Sequence, residues 1–311
     1  MHVIVTGGSG FLGSHVVEEL LRRGYSVDIF DLAPLPPSLA GLADCRHVPG
    51  DLTRLDSVEP ALAGADAVCH LAGVGDVYLA AREPHTAALL NVAGTAHIAE
   101  AALCQGVRKV VYASTWEVYG QPHYQPIDEA HPCNPDHPYN ITKYAGERLL
   151  LSYDHLRQLP VLALRLGTAF GPRMRSNSVF SLFIDKARRG EPIVIQGTGE
   201  QSRQFTHARD IARAFALAAE SPVHGLALNT VASEPVSIRQ LADMVRGMLP
   251  TRVEHAPARA GDIAPALVDS SCARRMLGWE PQVRFEQGLA ELALAPVAAA
   301  HRNGGAAVAA V

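Results

Sequence analysis

The stretch VTGGSGFLGSH, residues 5–15, carries an apolar β-branched run into an amphipathic helical one through closely spaced glycines. Gly8, Gly10 and Gly13 fit G-x-G-x-x-G, while Gly7, Gly10 and Gly13 fit the wider G-x-x-G-x-x-G. Glycine suits such a turn because the chain adopts unusual dihedrals there and must approach a pyrophosphate closely. A phosphate at that point meets the unpaired N–H groups and the positive end of a helix. No Lys-Ser/Thr follows, which excludes an NTPase phosphate loop. Asp31 ends the next strand-like run, 18 residues beyond Gly13. A carboxylate there accepts hydrogen bonds from an adenosine ribose and repels a 2′-phosphate, so NAD is the expected cofactor rather than NADP. Asp51, at the end of the third run, is a candidate adenine contact.

Outward from this turn, HVIVTG (2–7), SVDIFD (26–31), CRHVPGD (45–51), AVCHLA (67–72), KVVYAS (109–114) and VLALRL (161–166) read as strands. They are mostly apolar rather than alternating, as strands covered on both faces should be. FLGSHVVEELLRRG (11–24), REPHTAALLNVAGTAHIAEAAL (82–103) and YNITKYAGERLLLSYDHL (139–156) have helical spacing and length. This alternation predicts an α/β fold, a Rossmann-type doubly wound parallel sheet with right-handed crossovers. After residue 166 Gly and Pro become frequent and the loops lengthen. The expected organisation is an NAD-binding domain over 1–166, with 204–230 returning to it. A smaller C-terminal substrate-binding lobe is expected from 167–203 and 231–295. The tail 296–311, rich in small residues, is expected to be disordered.

Composition narrows the function classes. Of 311 residues, 48% are hydrophobic and 19% charged, an ordinary globular balance. The net charge of −4 offers no basic surplus for nucleic acid or an anionic membrane. Five scattered cysteines form no C-x-x-C pair, which favours a reducing, cytoplasmic compartment over a disulfide framework. The first ten residues have no basic region before their short apolar run, unlike a signal peptide. No apolar run reads as long enough to cross a bilayer. His123, His131, Cys133 and His137 cluster in a Pro-rich loop but fit no familiar zinc spacing, so no metal is expected.

Tyr139 and Lys143 lie four apart in a helical pattern and so share one face. Shortly before them a strand ends in Ser114 and Thr115. An ammonium about 4 Å from a phenol, at an effective dielectric near 20, favours the phenolate by roughly 4 kcal/mol. That is about three pKa units, enough to bring a tyrosine towards neutrality. Tyr139 is therefore the candidate general base for a substrate hydroxyl, with Thr115 sharing the hydrogen bond.

From residue 1 to about 295 the chain resembles the extended short-chain dehydrogenase/reductases, specifically the nucleotide-sugar epimerase/dehydratase group. The resemblance rests on VTGGSGFLGSH, GDL (50–52), HLAG (70–73), NVAGT (91–95), STWEVYG (114–120), YNITK (139–143), GPRMR (171–175), GTGEQSRQFTHARDIARA (197–214) and RAGDI (259–263). It implies tight NAD binding, oxidation of a sugar at C4 and further action on the 4-keto intermediate. Carried over, Tyr139 is the base, Lys143 holds the nicotinamide ribose, and Thr115 bonds the 4-hydroxyl. The implied NAD contacts are Gly7, Gly10, Phe11, Leu12, Gly13, Asp31, Leu32, Asp51, Leu52, Leu71, Ala72, Gly73, Asn91, Tyr139 and Lys143. The implied substrate contacts are Trp116, Thr168, Arg175, Ser178, Val194, Gln196, Arg203, Arg259 and Asp262, the last three at the nucleotide diphosphate. Two departures touch the sugar: Ala80 stands where many relatives have a small hydroxyl residue, and Thr168 where an asparagine is usual. The helices around 85–104 and 140–157 are apolar on more than one side, and the resemblance implies a homodimer through them.

Trp116 and Glu117 bear on the reaction. In relatives that dehydrate, the position of Trp116 is typically an aspartic acid that protonates the leaving hydroxyl, and Glu117 matches the residue that removes the C5 proton. An indole donates one hydrogen bond but is no general acid. Trp116 either crowds the sugar's C5 and C6 or packs against a neighbouring loop. Arg173 and Arg175 fall where the C5 substituent is expected, and RLGTAFGPRMR resembles the matching stretch of uronic-acid 4-epimerases. The expected function is thus an NAD-dependent nucleotide-sugar 4-epimerase acting on a UDP-hexose or UDP-uronate. The alternatives are a lyase using Glu117 (UDP-glucuronate decarboxylase or 4,6-dehydratase), a net-redox 4-reductase and a non-catalytic NAD-binding protein.

Overall fold

The computed structural model describes residues 1–232, 234–257 and 266–295. Apolar β-branched runs form a parallel sheet: β1 (His2–Thr6), β2 (Ser26–Asp31), β3 (Cys45–Pro49), β4 (Ala67–His70), β5 (Lys109–Thr115) and β6 (Val161–Leu166). Between them lie α1 (Phe11–Arg22), α2 (Leu55–Ala61), α3 (Val77–Arg82), α4 (Pro84–Ala88), α5 (Gly94–Cys104) and α6 (Pro138–Arg157). The chain then makes β7 (Thr168–Phe170), α7 (Val179–Arg188), β8 (Ile193–Gln196), β9 (Ser202–Arg203), β10 (Phe205–His207), α8 (Ala208–Glu220) and β11 (Leu226–Thr230). After these come β12 (Val236–Ser237), α9 (Ile238–Met248), β13 (Val253–Ala256), α10 (Ser271–Leu277) and α11 (Phe285–Leu294).

Seven strands pair in the order β11–β6–β5–β4–β1–β2–β3, every pairing parallel. Successive residues of one strand enter opposite cores: Val3 and Val5 meet α1 and α8 on one face, and Ile4 meets α2, α5 and α6 on the other. Both faces are therefore dry, which is why the strands read as continuous apolar runs. Strand order reverses between β1 and β4, so a crevice opens there at the carboxyl edge, where open α/β sheets bind ligands. A third core joins Phe170, Phe180 and Phe205 to Leu241 and Val245 of α9, and it supports the elements that overhang that edge. Trp279, fully buried, donates its indole N–H to the Asp210 carbonyl at 2.8 Å and fastens the chain after α10 to α8.

α4, a π-helical turn (Leu89–Ala93) and α5 run on as one helical stretch. Pro84–Cys104 has 21 residues, and an 18-residue window within it has a mean hydropathy of 1.3, so by length and composition alone one helix could cross a membrane, where the sequence reading expected none. Ile98, Ala99 and Ala102 pack it into the second core beneath the sheet. The π turn sits at Asn91, a distortion of a kind found at functional sites.

Candidate functional site

The glycine turn follows β1 directly. Gly7 has φ +71°, and a Cβ on it would lie 2.7 Å from the Ala72 nitrogen. A Cβ on Gly13 would lie 2.0 Å from the Gly7 carbonyl oxygen, so the start of α1 touches the turn backbone to backbone. Gly10 caps α1 without a side-chain hydrogen bond, which leaves the N–H groups of Phe11 and Leu12 without helical carbonyl partners. Asp31 accepts from the backbone nitrogens of Ser9 at 3.0 Å and Ala33 at 2.9 Å, so its carboxylate braces the turn. Burial pushes the Asp31 carboxyl up, and those same N–H bonds oppose the shift. Leu32, beside it, is exposed. Asp51 folds back on Thr53, accepting from its N–H and hydroxyl at 2.8 Å, and Leu52 is buried against Gly94.

Leu71, Ala72 and Gly73 leave β4 along the same edge. Asn91 pins this loop: Oδ1 accepts from the Val74 N–H at 2.8 Å, and Nδ2 donates to the Val74 carbonyl and to Thr142 Oγ1 of α6. His70, fully buried at the end of β4, bonds Thr6 Oγ1 at 2.7 Å and Thr95 Oγ1 at 3.1 Å.

Thr115 ends β5 and caps the 3₁₀ turn Trp116–Tyr119, its hydroxyl accepting from the Glu117 N–H at 3.3 Å. α6 starts opposite, with Pro138 in its first turn and the ring of His137 accepting from the Tyr139 N–H at 3.2 Å. These two starts bring the Thr115 hydroxyl beside the Tyr139 phenol. Tyr139 packs beside Val74, Ala80 and Ala87. Its phenol is pushed well above the ordinary value, first by burial and then by the Glu117 carboxylate, against the Thr115 hydrogen bond and the Arg175 charge. This corrects the expected drop towards neutrality: Lys143 places its ammonium 4.3 Å over the Tyr112 ring, and the charges acting on the phenol are those of Glu117 and Arg175. Burial draws Lys143 itself down to about 7, with Glu147 opposing. The Glu117 carboxyl is raised by burial, Arg203 opposing and Asp136 adding to the rise.

Trp116 packs among Val118, Tyr119, Ile127, Val231 and Val268, which gives the loop-packing reading of the indole a physical basis. One edge of it shares a small pocket with Arg203, Gln204 and Ala266. Arg203 donates to the Ser202 carbonyl at 2.7 Å. Ala80 is fully buried, and Thr168 lies half-buried in β7, paired with Phe205. Arg175 forms an ion pair with Asp76, which caps α3, and donates to the Gly75 carbonyl at 2.9 Å. Arg173 turns the other way, to Ser14 and Glu18 of α1, and is spent on holding the lobe to the sheet. Ser178 caps α7 by accepting from the Ser181 N–H at 3.1 Å, and Val194 and Gln196 share the half-exposed face of β8. Arg259 and Asp262 lie outside the described residues, as does the tail 296–311. In the Pro-rich loop both ring nitrogens of His131 are engaged, one accepting from the His123 N–H at 2.9 Å and the other 2.8 Å from the Pro132 carbonyl.

The profile of the NAD-dependent epimerase/dehydratase family matches residues 3–231, nearly three quarters of the chain. The chain belongs to this family. A UDP-glucose 4-epimerase of Mycolicibacterium smegmatis is 32% identical over 309 residues, covering 94% of this chain and 97% of that protein. Among solved structures, the UDP-glucose 4-epimerase of Thermotoga maritima with UDP-glucose has a TM-score of 0.87 at 30% identity, covering 93% of this chain and 96% of its own. MoeE5 in complex with UDP-glucuronic acid and NAD has a TM-score of 0.85 at 34% identity, covering 93% and 97%. The family's NAD dependence fits the cradle described above, where the absence of a Cβ at Gly7 and Gly13 leaves the free N–H groups of α1 approachable beside a carboxylate. Sequence reading missed Glu147, Arg165, Tyr119 and Asn229, a buried polar chain behind Lys143. The signal available for it was a lone arginine within the apolar strand VLALRL.

Proposed function

We propose that this enzyme is a nucleotide-sugar 4-epimerase that takes a UDP-hexose or a UDP-uronate through a 4-keto intermediate. The observation that carries the reading is the Thr115 hydroxyl set beside the buried Tyr139 phenol at the carboxyl edge of the sheet, with an indole rather than an acid next in sequence. Phe11 and Leu12 would offer N–H groups to the NAD pyrophosphate, Asp31 would bond the adenosine ribose, and Lys143 the nicotinamide ribose. Bound NAD supplies a reversible hydride acceptor and, when oxidised, a positive charge. Tyr139 takes the proton of the 4-hydroxyl and returns it after the keto sugar has turned in the site, while Thr115 holds the same oxygen. A buried phenol raised by a neighbouring carboxylate needs added positive charge before it can accept a proton, so base strength should appear only in the loaded enzyme.

Arg175 supports the uronate branch, since a guanidinium at the mouth of the site offers a two-point grip to a carboxylate. Asp76 already occupies part of that grip. A lyase is the second reading, favoured by one observation: Glu117 is a carboxyl whose pKa burial raises, the state suited to proton transfer. The half-exposed Leu89 and Ile141, on the α4–α6 side, support a homodimer. The five free thiols suit a reducing cytoplasm. The test is a panel of UDP- and dTDP-sugars, including UDP-glucuronate and UDP-glucose, resolved by chromatography and mass spectrometry. A product of unchanged mass and no sustained NADH consumption supports the epimerase. Loss of water or carbon dioxide would assign the lyase, and steady NADH use the reductase.

A further inference from the structure

Glu147 is fully buried on α6, four residues beyond Lys143, and the proposed reaction has no step for it. Arg165 of β6 grips its carboxylate at two points, Nη2 to Oε1 at 2.6 Å and Nε to Oε2 at 3.1 Å. Ser114 Oγ donates a third bond to it at 2.5 Å. Arg165 continues the chain: Nη1 donates to the Tyr119 hydroxyl at 2.8 Å, and that hydroxyl donates to Asn229 Oδ1 at 2.7 Å. Ser114 immediately precedes Thr115, and Tyr119 closes the turn that begins at Trp116. The network therefore grips both ends of the segment carrying Thr115, Trp116 and Glu117. Stability alone is a weak reason for such a pair, because well-packed apolar replacements of a buried ion pair are often neutral or stabilising.

We propose that Glu147 is a positioning residue: through Ser114 and Arg165 it fixes the Thr115–Glu117 segment, and it sets an anion one helical turn along α6 from Lys143. The titratable groups facing Lys143 are His70 from β4, Tyr112 from β5 and Glu147 from its own helix. Glu147 is the anion among them. It is the charge that opposes burial at Lys143. This inference rests on reading Tyr139 and Lys143 as the catalytic pair.

The test compares Glu147→Gln, the double variant Glu147→Gln/Arg165→Met and Tyr119→Phe. Each is followed by circular dichroism, by the pH profile of kcat with the preferred nucleotide sugar, and by NMR titration of ¹⁵N-labelled Lys143. Removing the anion disfavours the ammonium, so the Lys143 titration and the alkaline limb of kcat should both move to lower pH, by about one unit. The double variant should show a smaller shift, because the Arg165 cation that offsets the anion leaves with it. Tyr119→Phe, which breaks the network without removing charge, should leave both at their wild-type positions. Rescue of the limb by Glu147→Asp would add support. A folded Glu147→Gln variant with the wild-type limb and lysine titration would overturn the proposal, and so would failure of both it and the double variant to fold, which would assign the pair to structure alone. Full activity in Tyr139→Phe would instead overturn the reading of the catalytic pair, so the two failures are distinct.

Discussion

Gly13→Ala probes the cofactor cradle at its tightest point. The added methyl carbon would sit 2.0 Å from the Gly7 oxygen and 2.7 Å from both the Gly7 carbonyl carbon and the Gly8 Cα. Ordinary van der Waals contact begins at about 3.4 Å, so the start of α1 and the turn must part by more than about 1 Å. Both neighbours are backbone, so no side chain can swing aside. The bonds from Gly10 N–H to Gly7 and from Ser14 N–H to Gly10, each 3.0 Å, would be stretched or lost. The N–H groups of Phe11 and Leu12 would move with the helix, beyond the distance at which a hydrogen bond survives. Two such bonds to a charged phosphate are together worth about 3–6 kcal/mol, or roughly 10²–10⁴-fold in affinity. Isothermal calorimetry with NAD on the stripped enzyme measures this. The control is Gly247→Ala, where nothing lies within 4 Å of the new methyl in α9. It should leave NAD affinity unchanged and raise stability by up to about 1 kcal/mol. A folded Gly13→Ala protein that binds NAD within about threefold of wild type would refute the cradle argument, since a shift of one bond already exceeds that factor.

Tyr139→Phe should keep NAD affinity and lose at least about 10²-fold in kcat, as removal of a general base does; full activity with wild-type kinetics would contradict the base assignment. Arg175→Ala should lower kcat/KM for UDP-glucuronate by about 10-fold or more relative to UDP-glucose, one charge-assisted bond being worth roughly 1.5–3 kcal/mol; an unchanged ratio would remove Arg175 from substrate choice. Stability should fall on mild acidification. Buried His70 and His207 titrate at about 3 and His15 at about 4, each held down mainly by burial. The unfolded chain binds those protons near pH 6.5, so the stabilisation is present above that pH and is lost as pH falls towards the folded values. At pH 5.5 the loss is about 1.4 kcal/mol per histidine. A thermal midpoint that does not drop between pH 7.5 and 5.5 would contradict this.

The sheet was legible because its strands are dry on both faces, so burial writes an unbroken apolar run into each, as in Val110 and Val111 of β5. The glycine turn was legible because a backbone-to-backbone approach leaves glycine as the residue that fits, as at Gly13. Four-residue spacing placed Tyr139 and Lys143 on one face, but spacing gives no rotamer. Lys143 leans onto Tyr112, a residue of another element, and so the expected lowering of the phenol did not appear. Arg173 and Arg175, two apart in sequence, part company because Arg173 sits at φ +68° and turns to α1. The Glu147–Arg165 pair joins a helix to a strand 18 residues on, and a partner chosen by tertiary packing leaves no local pattern. The helix Pro84–Cys104 did not read as one long apolar run because His85, Asn91, His97 and Glu100 interrupt it, although 18 consecutive residues within it average 1.3 in hydropathy.

The central claim is that a 4-keto sugar forms and is reduced again in one site with nothing lost. A UDP-sugar carrying deuterium at C4, incubated with the purified enzyme and separated from its 4-epimer, measures this directly by mass spectrometry and NMR. The account predicts that both epimers have the same mass and keep deuterium at C4, with no net change in NADH. Loss of water or carbon dioxide, or deuterium found at another carbon, would contradict it.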